Sequence, residues 1–203
     1  MQYSRNMWCR LTHMVAYQHI YCCDNPINIV SKSTTRSFRV DAELSNVLDE
    51  ESERMGVSVN ALVNMILKRY SDFTRFLSKI DMIVINRELL KTLFDSYPED
   101  DIYGIGVSAG EIIARDTILF WKKSLTFESV LEYIEKIVCR YGYLGTYDEA
   151  ELNGMRIIVI RHRLGKKGSQ FLHGYLKTTL RETINLDSIF ELTDSSVKFQ
   201  INP

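Results

Sequence analysis

The segment from Thr34 to Tyr70 most constrains how this chain can fold, because it predicts a strand followed by two helices. Residues 37–41 read Ser-Phe-Arg-Val-Asp, and this alternation of polar and apolar side chains is typical of a strand. Its period of two places Phe38 and Val40 on one face and the polar side chains on the other. The segment therefore predicts a short strand with one apolar face.

Two helices are predicted after this strand. Apolar residues at helical spacing run to Met55, and Gly56 is a natural glycine stop for the first helix. Ser58 can cap the second helix through its side-chain oxygen. The second helix carries its apolar residues on one face: Leu62, Val63, Ile66, Leu67 and Tyr70.

The predicted unit is too small to bury a sufficient core alone. Units below roughly 40 residues usually need a metal, disulfides or a partner, and the segment contains no cysteine. A lone strand also leaves its backbone N–H and C=O groups unpaired, and the simplest mate is the same strand of a second copy. The sequence therefore predicts an antiparallel ribbon between two chains, which would fit the major groove of B-DNA.

The segment resembles the ribbon-helix-helix family, the MetJ/Arc/CopG class of DNA-binding proteins. The resemblance covers residues 35–70 without a gap. It depends on the alternating strand at 37–41, the Arg-Met-Gly-Val-Ser turn at 54–58 and the apolar run at 61–67. It implies a dimer with paired N-terminal strands and double-stranded DNA as the partner.

The resemblance also implies which residues would contact DNA. Outward strand residues would read bases, where arginine can bond guanine O6 and N7. The free N–H groups at the start of the second helix would hold a phosphate. The expected base-reading residues are Thr35, Ser37 and Arg39, and the expected phosphate-binding residues are Arg36, Ser58, Val59 and Asn60.

Charge does not by itself favour nucleic acid. The whole chain carries a formal net charge of −1, and residues 34–72 hold five Lys/Arg against seven Asp/Glu. A second basic cluster at 161–169 could supply cations, hold an anion at a helix start, or be a solvated basic turn. The candidate anion site there consists of Arg161, Arg163, Lys166 and Lys167.

Length and pattern predict an α+β protein with two folded parts. The 203 residues divide into an N-terminal extension at 1–33, expected to be poorly ordered, a ribbon-helix-helix unit at 34–77 and an α+β domain at 78–203. Mixed helices and strands characterise the last part. The strongest strand signal is Met155–Arg161, a helix is predicted over 169–184, and residues 189–201 predict a terminal hairpin.

The sequence favours a cytoplasmic protein without membrane contact. No run approaches the roughly 18 apolar residues of a membrane helix. The four cysteines, Cys9, Cys22, Cys23 and Cys139, are too few and too unevenly placed for a disulfide framework. With the histidines near the N-terminus they fit no common zinc spacing, so no metal is expected.

Other candidate sites are weak. The glycine-rich stretch at 104–110 lacks a preceding strand of the kind that a dinucleotide-binding loop needs. His162 and His173 could ligate a metal only with a richer donor set than the C-terminal half offers. The dense aromatics between residues 97 and 147 could line a pocket, although at helical spacing they fit a plain core. No nucleophile–base pair stands out, so neither an enzyme nor a cofactor is predicted.

The sequence thus predicts a sequence-specific transcriptional regulator acting as a homodimer or homotetramer. Its C-terminal domain would join dimers or bind a small-molecule effector. Two alternatives remain open. One is an antitoxin-like or other protein-interaction module, and the other is a ligand-binding α+β domain that uses the N-terminal unit only to dimerise.

Overall fold

The protein has an α+β fold, as seen in a computed structural model that describes residues 34–80 and 82–202. The chain divides into two compact units, Met1–Asp72 and Phe73–Pro203. The extension predicted at 1–33 lies outside the described residues.

The N-terminal unit contains two helices joined by a glycine turn. Helix α1 spans Ala42–Met55 and helix α2 spans Val59–Asp72. Gly56 adopts a φ of +66° and donates its N–H to the Glu53 carbonyl, so the predicted glycine stop is confirmed. Ser58 Oγ accepts the Ala61 N–H at 3.2 Å, which confirms the predicted cap.

The strand predicted at Ser37–Asp41 is not formed within the chain. Residues 34–41 have irregular backbone, and Phe38 is 63% exposed. A strand needs a neighbour for its N–H and C=O groups, and none is present among the described residues of this unit. Within one chain, residues 37–41 therefore have no neighbouring strand that would stabilise them in an extended conformation.

The C-terminal unit opens with helices and ends with a sheet interrupted by one long helix. Helix α4 at Glu99–Ala109, the π-helical segment Gly110–Ala114 and helix α5 at Arg115–Lys122 follow one another and form a long helical rod. Pro98 and an acidic first turn begin this rod. The helices are α3 Arg87–Asp95, α4 Glu99–Ala109, α5 Arg115–Lys122, α6 Phe127–Glu132 and α7 Gly165–Ile184, with a 3₁₀ helix at Thr74–Lys79 and π-helical segments at Gly110–Ala114 and Tyr133–Tyr141.

The sheet has four antiparallel strands in the order β1-β2-β4-β3. Strand β2 has the predicted bounds Met155–Arg161, and the predicted terminal hairpin is confirmed. Strand β1 was not predicted, because its acidic sequence suits an exposed edge and not a buried strand. The bounds are β1 Thr146–Leu152, β2 Met155–Arg161, β3 Ile189–Leu192 and β4 Ser196–Ile201.

The main core of this unit fills the space between the sheet and the helices, and a smaller cluster forms from Phe94, Ile102 and Leu164. The inward side chains of β2 and β4 alternate along each strand, as a half-buried sheet requires. Helix α7 covers them with its buried face. The most deeply buried of these side chains are Ile158, Ile160, Leu172, Leu176, Leu180, Val197 and Phe199.

Glycines allow α4 and α7 to touch backbone to backbone. A Cβ atom added to Gly106 would lie 2.2 Å from the Phe171 carbonyl oxygen. One added to Gly174 would lie 2.4 Å from the Tyr103 carbonyl oxygen, and one added to Gly110 would lie 2.8 Å from the Tyr175 carbonyl oxygen. The glycine-rich stretch is therefore the packing face of a helix and not a phosphate-binding loop.

We expect Gly106→Ala to destabilise the C-terminal unit. The new methyl group must push α4 away from α7, and overpacking of this kind costs about 1–3 kcal/mol. Urea unfolding followed by circular dichroism measures the change in unfolding free energy.

Gly104→Ala on the same helix is the matched control. No atom lies within 4 Å of the position of its Cβ. Alanine should there stabilise the helix by roughly 0.5–1 kcal/mol. Equal effects of the two substitutions would contradict the close-packing account.

Candidate functional site: an apolar surface on the N-terminal unit

Most of the large apolar side chains among residues 34–72 are exposed. Phe38 is 63% exposed and Tyr70 is 57% exposed, whereas Leu62 is the one buried apolar side chain in this described range. We call the exposed set the N-terminal apolar surface: Phe38, Val40, Leu44, Val47, Val59, Ile66, Leu67 and Tyr70.

The positions on α2 explain why this surface is continuous. At 100° per residue, Val59, Ile66 and Tyr70 point to one side of the helix. Asn60, Asn64, Lys68 and Ser71 point to the opposite side. The helix is thus amphipathic, but its apolar side is only partly covered, since Ile66 remains 49% exposed. Contiguous exposed apolar surface of this kind marks an interaction site.

The residues predicted to contact DNA lie in two places. Thr35, Ser37 and Arg39 are exposed on the irregular segment before α1, together with Arg36. The other predicted phosphate-binding residues, Ser58, Val59 and Asn60, lie at the start of α2. There Ser58 Oγ already accepts one of the N–H groups that a phosphate would use. The structure therefore presents neither an assembled ribbon nor an uncapped helix start.

The basic turn between β2 and α7 engages most of its cations internally. Arg161 pairs with Asp148, and Lys166 Nζ lies 3.0 Å from Glu99 Oε1. Lys167 Nζ donates to the Asp95 carbonyl oxygen at 2.9 Å and to the Tyr97 carbonyl oxygen between α3 and α4. The turn thus connects α7 to the start of the helical rod. Arg163 is exposed beside it.

A buried histidine and serine lie at the same turn. The His162 Nε2 to Ser169 Oγ distance is 2.9 Å, and His162 Nδ1 accepts the Leu164 N–H at 3.2 Å. Because Nδ1 accepts, Nε2 carries the proton and donates to Ser169, whose hydroxyl donates onward to the Thr193 carbonyl. The imidazole cannot serve as a base toward this serine. The pair is a structural connection to the β3–β4 turn.

Two further groups of reactive type are buried and inert. The Cys139 thiol is 2% exposed, and burial raises its pKa, which keeps it protonated. The Tyr133 hydroxyl bonds to that of Tyr175 inside the core, and burial raises the pKa of Tyr133 to about 12. Among residues 34–80 and 82–202, no three His, Cys, Asp or Glu side chains are grouped to hold a metal ion. His162 and His173 have different neighbours, since His162 bonds to Ser169 and His173 packs against the rings of Tyr103 and Phe190.

Comparison with known proteins gives little. No family model matches the chain, and no curated protein matches it. Among solved structures, the chain is similar to trafficking protein particle complex subunit 3 from Naegleria fowleri, covalently bound to palmitic acid. That similarity has 14% identity and a TM-score of 0.35, and it covers 71% of this chain and 90% of that chain.

The predicted function needs correction. The reasons are physical. Residues 34–72 carry more acids than bases, Ser58 Oγ already accepts an N–H group at the start of α2, and the cations of the basic turn are largely paired. The prediction of a DNA-binding transcriptional regulator with double-stranded DNA as its partner is therefore wrong. In the described part of the chain, no helix is long and apolar enough to cross a bilayer.

The buried histidine makes stability depend on pH. Burial lowers the pKa of His162 below its ordinary value, so the unfolded chain binds the proton more readily. The unfolding free energy should therefore be highest above about pH 6.5 and should fall as the pH drops toward 5. Urea unfolding across this range measures the slope.

His162→Gln should reduce that slope. Burial also lowers the pKa of His173. The variant His173→Gln is therefore measured in parallel, to separate the contributions of the two histidines to the slope. An unchanged slope in His162→Gln would contradict the role of His162 in the pH dependence. A ¹⁵N spectrum showing the proton of neutral His162 on Nδ1 would contradict the tautomer inferred from its hydrogen bonds.

Proposed function

We propose that this protein is a protein-interaction module that self-associates through its N-terminal apolar surface. In the proposed dimer, residues 34–72 of two copies pair in the manner of a ribbon-helix-helix unit. The C-terminal α+β unit is then presented in two copies. The exposure of the N-terminal apolar surface is the observation that carries this proposal.

Apolar burial supplies the driving force. Full burial of a large aliphatic or aromatic side chain contributes about 1.5–3 kcal/mol. Side chains such as Ile66, Leu67 and Tyr70, which are about half exposed, would each gain roughly half of that on being covered. A small unit that cannot cover them internally is stabilised by a partner.

The irregular segment supports a second copy as that partner. Residues 37–40 keep an alternating pattern, and their backbone groups make no ladder in the described chain. Two such segments related by a two-fold axis can pair antiparallel, and Phe38 and Val40 of both copies then face the helices. A single dimer contact would cover the N-terminal apolar surface and would also give the backbone N–H and C=O groups of residues 37–40 hydrogen-bond partners.

We expect Ile66→Glu to weaken self-association strongly. Two carboxylates would be placed in the covered surface of each dimer, where an unpaired charge costs several kcal/mol. The dissociation constant should rise at least about 100-fold, which corresponds to roughly 2.7 kcal/mol. Sedimentation velocity over a concentration series measures it.

Asn64→Glu is the matched control, because it adds the same charge on the opposite, exposed side of α2. It should leave the dissociation constant within about threefold of the parent value, which is below 1 kcal/mol. A parent protein that sediments as a monomer at high concentration would overturn the proposal. Equal weakening by both variants would do the same.

A further inference from the structure

The turn that joins β1 to β2 consists of only two residues, Asn153 and Gly154. Leu152 pairs with Met155 in the ladder, so no further residue belongs to the turn. Both turn residues have a positive φ, +53° for Asn153 and +77° for Gly154. This is the backbone of a type I′ turn, in which Asn-Gly is a preferred pair because both residues tolerate φ above zero. The hairpin therefore accounts for the presence of this dipeptide.

The same dipeptide brings together an amide side chain and an unhindered backbone nitrogen. In any asparagine, the backbone nitrogen of the next residue can attack the side-chain Cγ and close a five-membered ring. A side chain on that next residue hinders the attack, and glycine has none. No atom lies within 4 Å of the position that a Cβ of Gly154 would take, so the surrounding structure does not hinder the attack either.

Both reacting groups are accessible in the folded protein. Asn153 and Gly154 are exposed. Among the residues that the structure describes, no hydrogen bond engages the Asn153 side chain or the Gly154 N–H. Neither the attacking nitrogen nor the attacked amide is therefore held by another group.

Asn185 provides a matched comparison within the same chain. It is also exposed, and its φ of +52° is nearly that of Asn153. The next residue is Leu186, however, and its N–H donates to the Leu180 carbonyl oxygen at 3.3 Å. At Asn185 the attacking nitrogen is thus hindered by a side chain and engaged in a hydrogen bond.

We propose that Asn153 is a site of spontaneous deamidation, with water as the only co-reactant. The Gly154 nitrogen gives its proton to water and bonds to Asn153 Cγ, while the Cγ–Nδ2 bond breaks and the side-chain nitrogen leaves as ammonia. Water then opens the resulting succinimide ring at one of its two carbonyl carbons. Opening at Cγ gives aspartate with the original main chain. Opening at the backbone carbonyl carbon gives isoaspartate, in which the main chain runs through Cγ.

The position of the turn at the end of an edge strand gives access to the reactive conformation. Ring closure requires rotation about the Cα–C bond of Asn153, out of the type I′ conformation. Strand β1 has a neighbour on one side only, and Leu152, which closes the hairpin, is 55% exposed. Local opening at such an end needs much less free energy than global unfolding. The reaction therefore proceeds without unfolding of the C-terminal unit.

Deamidation changes how β1 is held against β2. Isoaspartate adds one carbon atom to the main chain, so the two-residue turn no longer matches the register of Leu152 and Met155. Either product also adds a carboxylate to a strand end that already carries Glu149 and Glu151. The modification therefore loosens the acidic edge strand of the sheet.

Peptide mapping of the full chain tests the reaction. The parent protein is incubated in mildly alkaline buffer under native conditions, and mass spectrometry follows conversion of the two asparagine peptides to acids. Asn153 should convert manyfold faster than Asn185, with isoaspartate among its products. Conversion of Asn153 no faster than that of Asn185 would overturn the proposal. Conversion of Asn153 only in urea-unfolded protein would overturn it as a reaction of the folded molecule.

A pair of glutamine variants identifies the source of the acidic product. Asn153→Gln keeps an amide but would require a six-membered ring, so the acidic species that ion-exchange chromatography separates from aged parent protein should disappear. Asn185→Gln is the matched control and should leave that species unchanged. Persistence of the species in Asn153→Gln would overturn the assignment to Asn153.

Hydrogen exchange on the separated isoaspartate form tests the structural effect. The amides of β1 should exchange severalfold faster than in fresh protein, whereas those of α7 should be unchanged. Asn153→Asp adds the charge without lengthening the main chain, so its β1 amides should stay closer to those of fresh protein. Equal exchange of β1 in the isoaspartate form and in fresh protein would overturn the proposed loosening.

Discussion

The direct backbone contact between α4 and α7 is the constraint on which the rest of the C-terminal unit depends. Three glycines, Gly106, Gly110 and Gly174, allow carbonyl oxygens of one helix to lie where side chains would otherwise stand. The contact fixes which side of the helical rod is buried. It thereby leaves the other side of the rod, with Ile105, Ile112 and Ile113, exposed, and it positions α7 over the sheet.

Both units expose apolar surface for different physical reasons. Residues 34–72 are too few to cover their own helices. The C-terminal unit has a complete core, yet its rod is longer and more apolar than one packing face can cover. For residues 34–72 a symmetric partner is the simplest cover, because a two-fold contact uses one surface twice.

The helices and the central strands could be predicted wherever the pattern reflects burial. The β-branched run of β2, the capped helix α2 and the glycine stop at Gly56 all follow from local rules.

Strand β1 could not be predicted, since an acidic edge strand is stabilised by its neighbour and not by its own side chains. The packing role of the glycines at 104–110 could not be predicted, because the contacts of Gly106 and Gly110 are with residues about 65 positions later in the chain. A spacing of four between Gly106 and Gly110 was the available signal. The predicted function was wrong because it rested on the pattern of residues 34–70, and local pattern does not show which side chains already have partners, such as Lys166 with Glu99.

Hydrogen exchange at the backbone amides of residues 37–40 tests the central claim most directly. If two copies pair through this segment, alternate amides should exchange slowly in concentrated protein and lose that protection on dilution below the dissociation constant. Exchange at the rate of an unstructured peptide at every concentration, with the helices still protected, would contradict pairing through this segment.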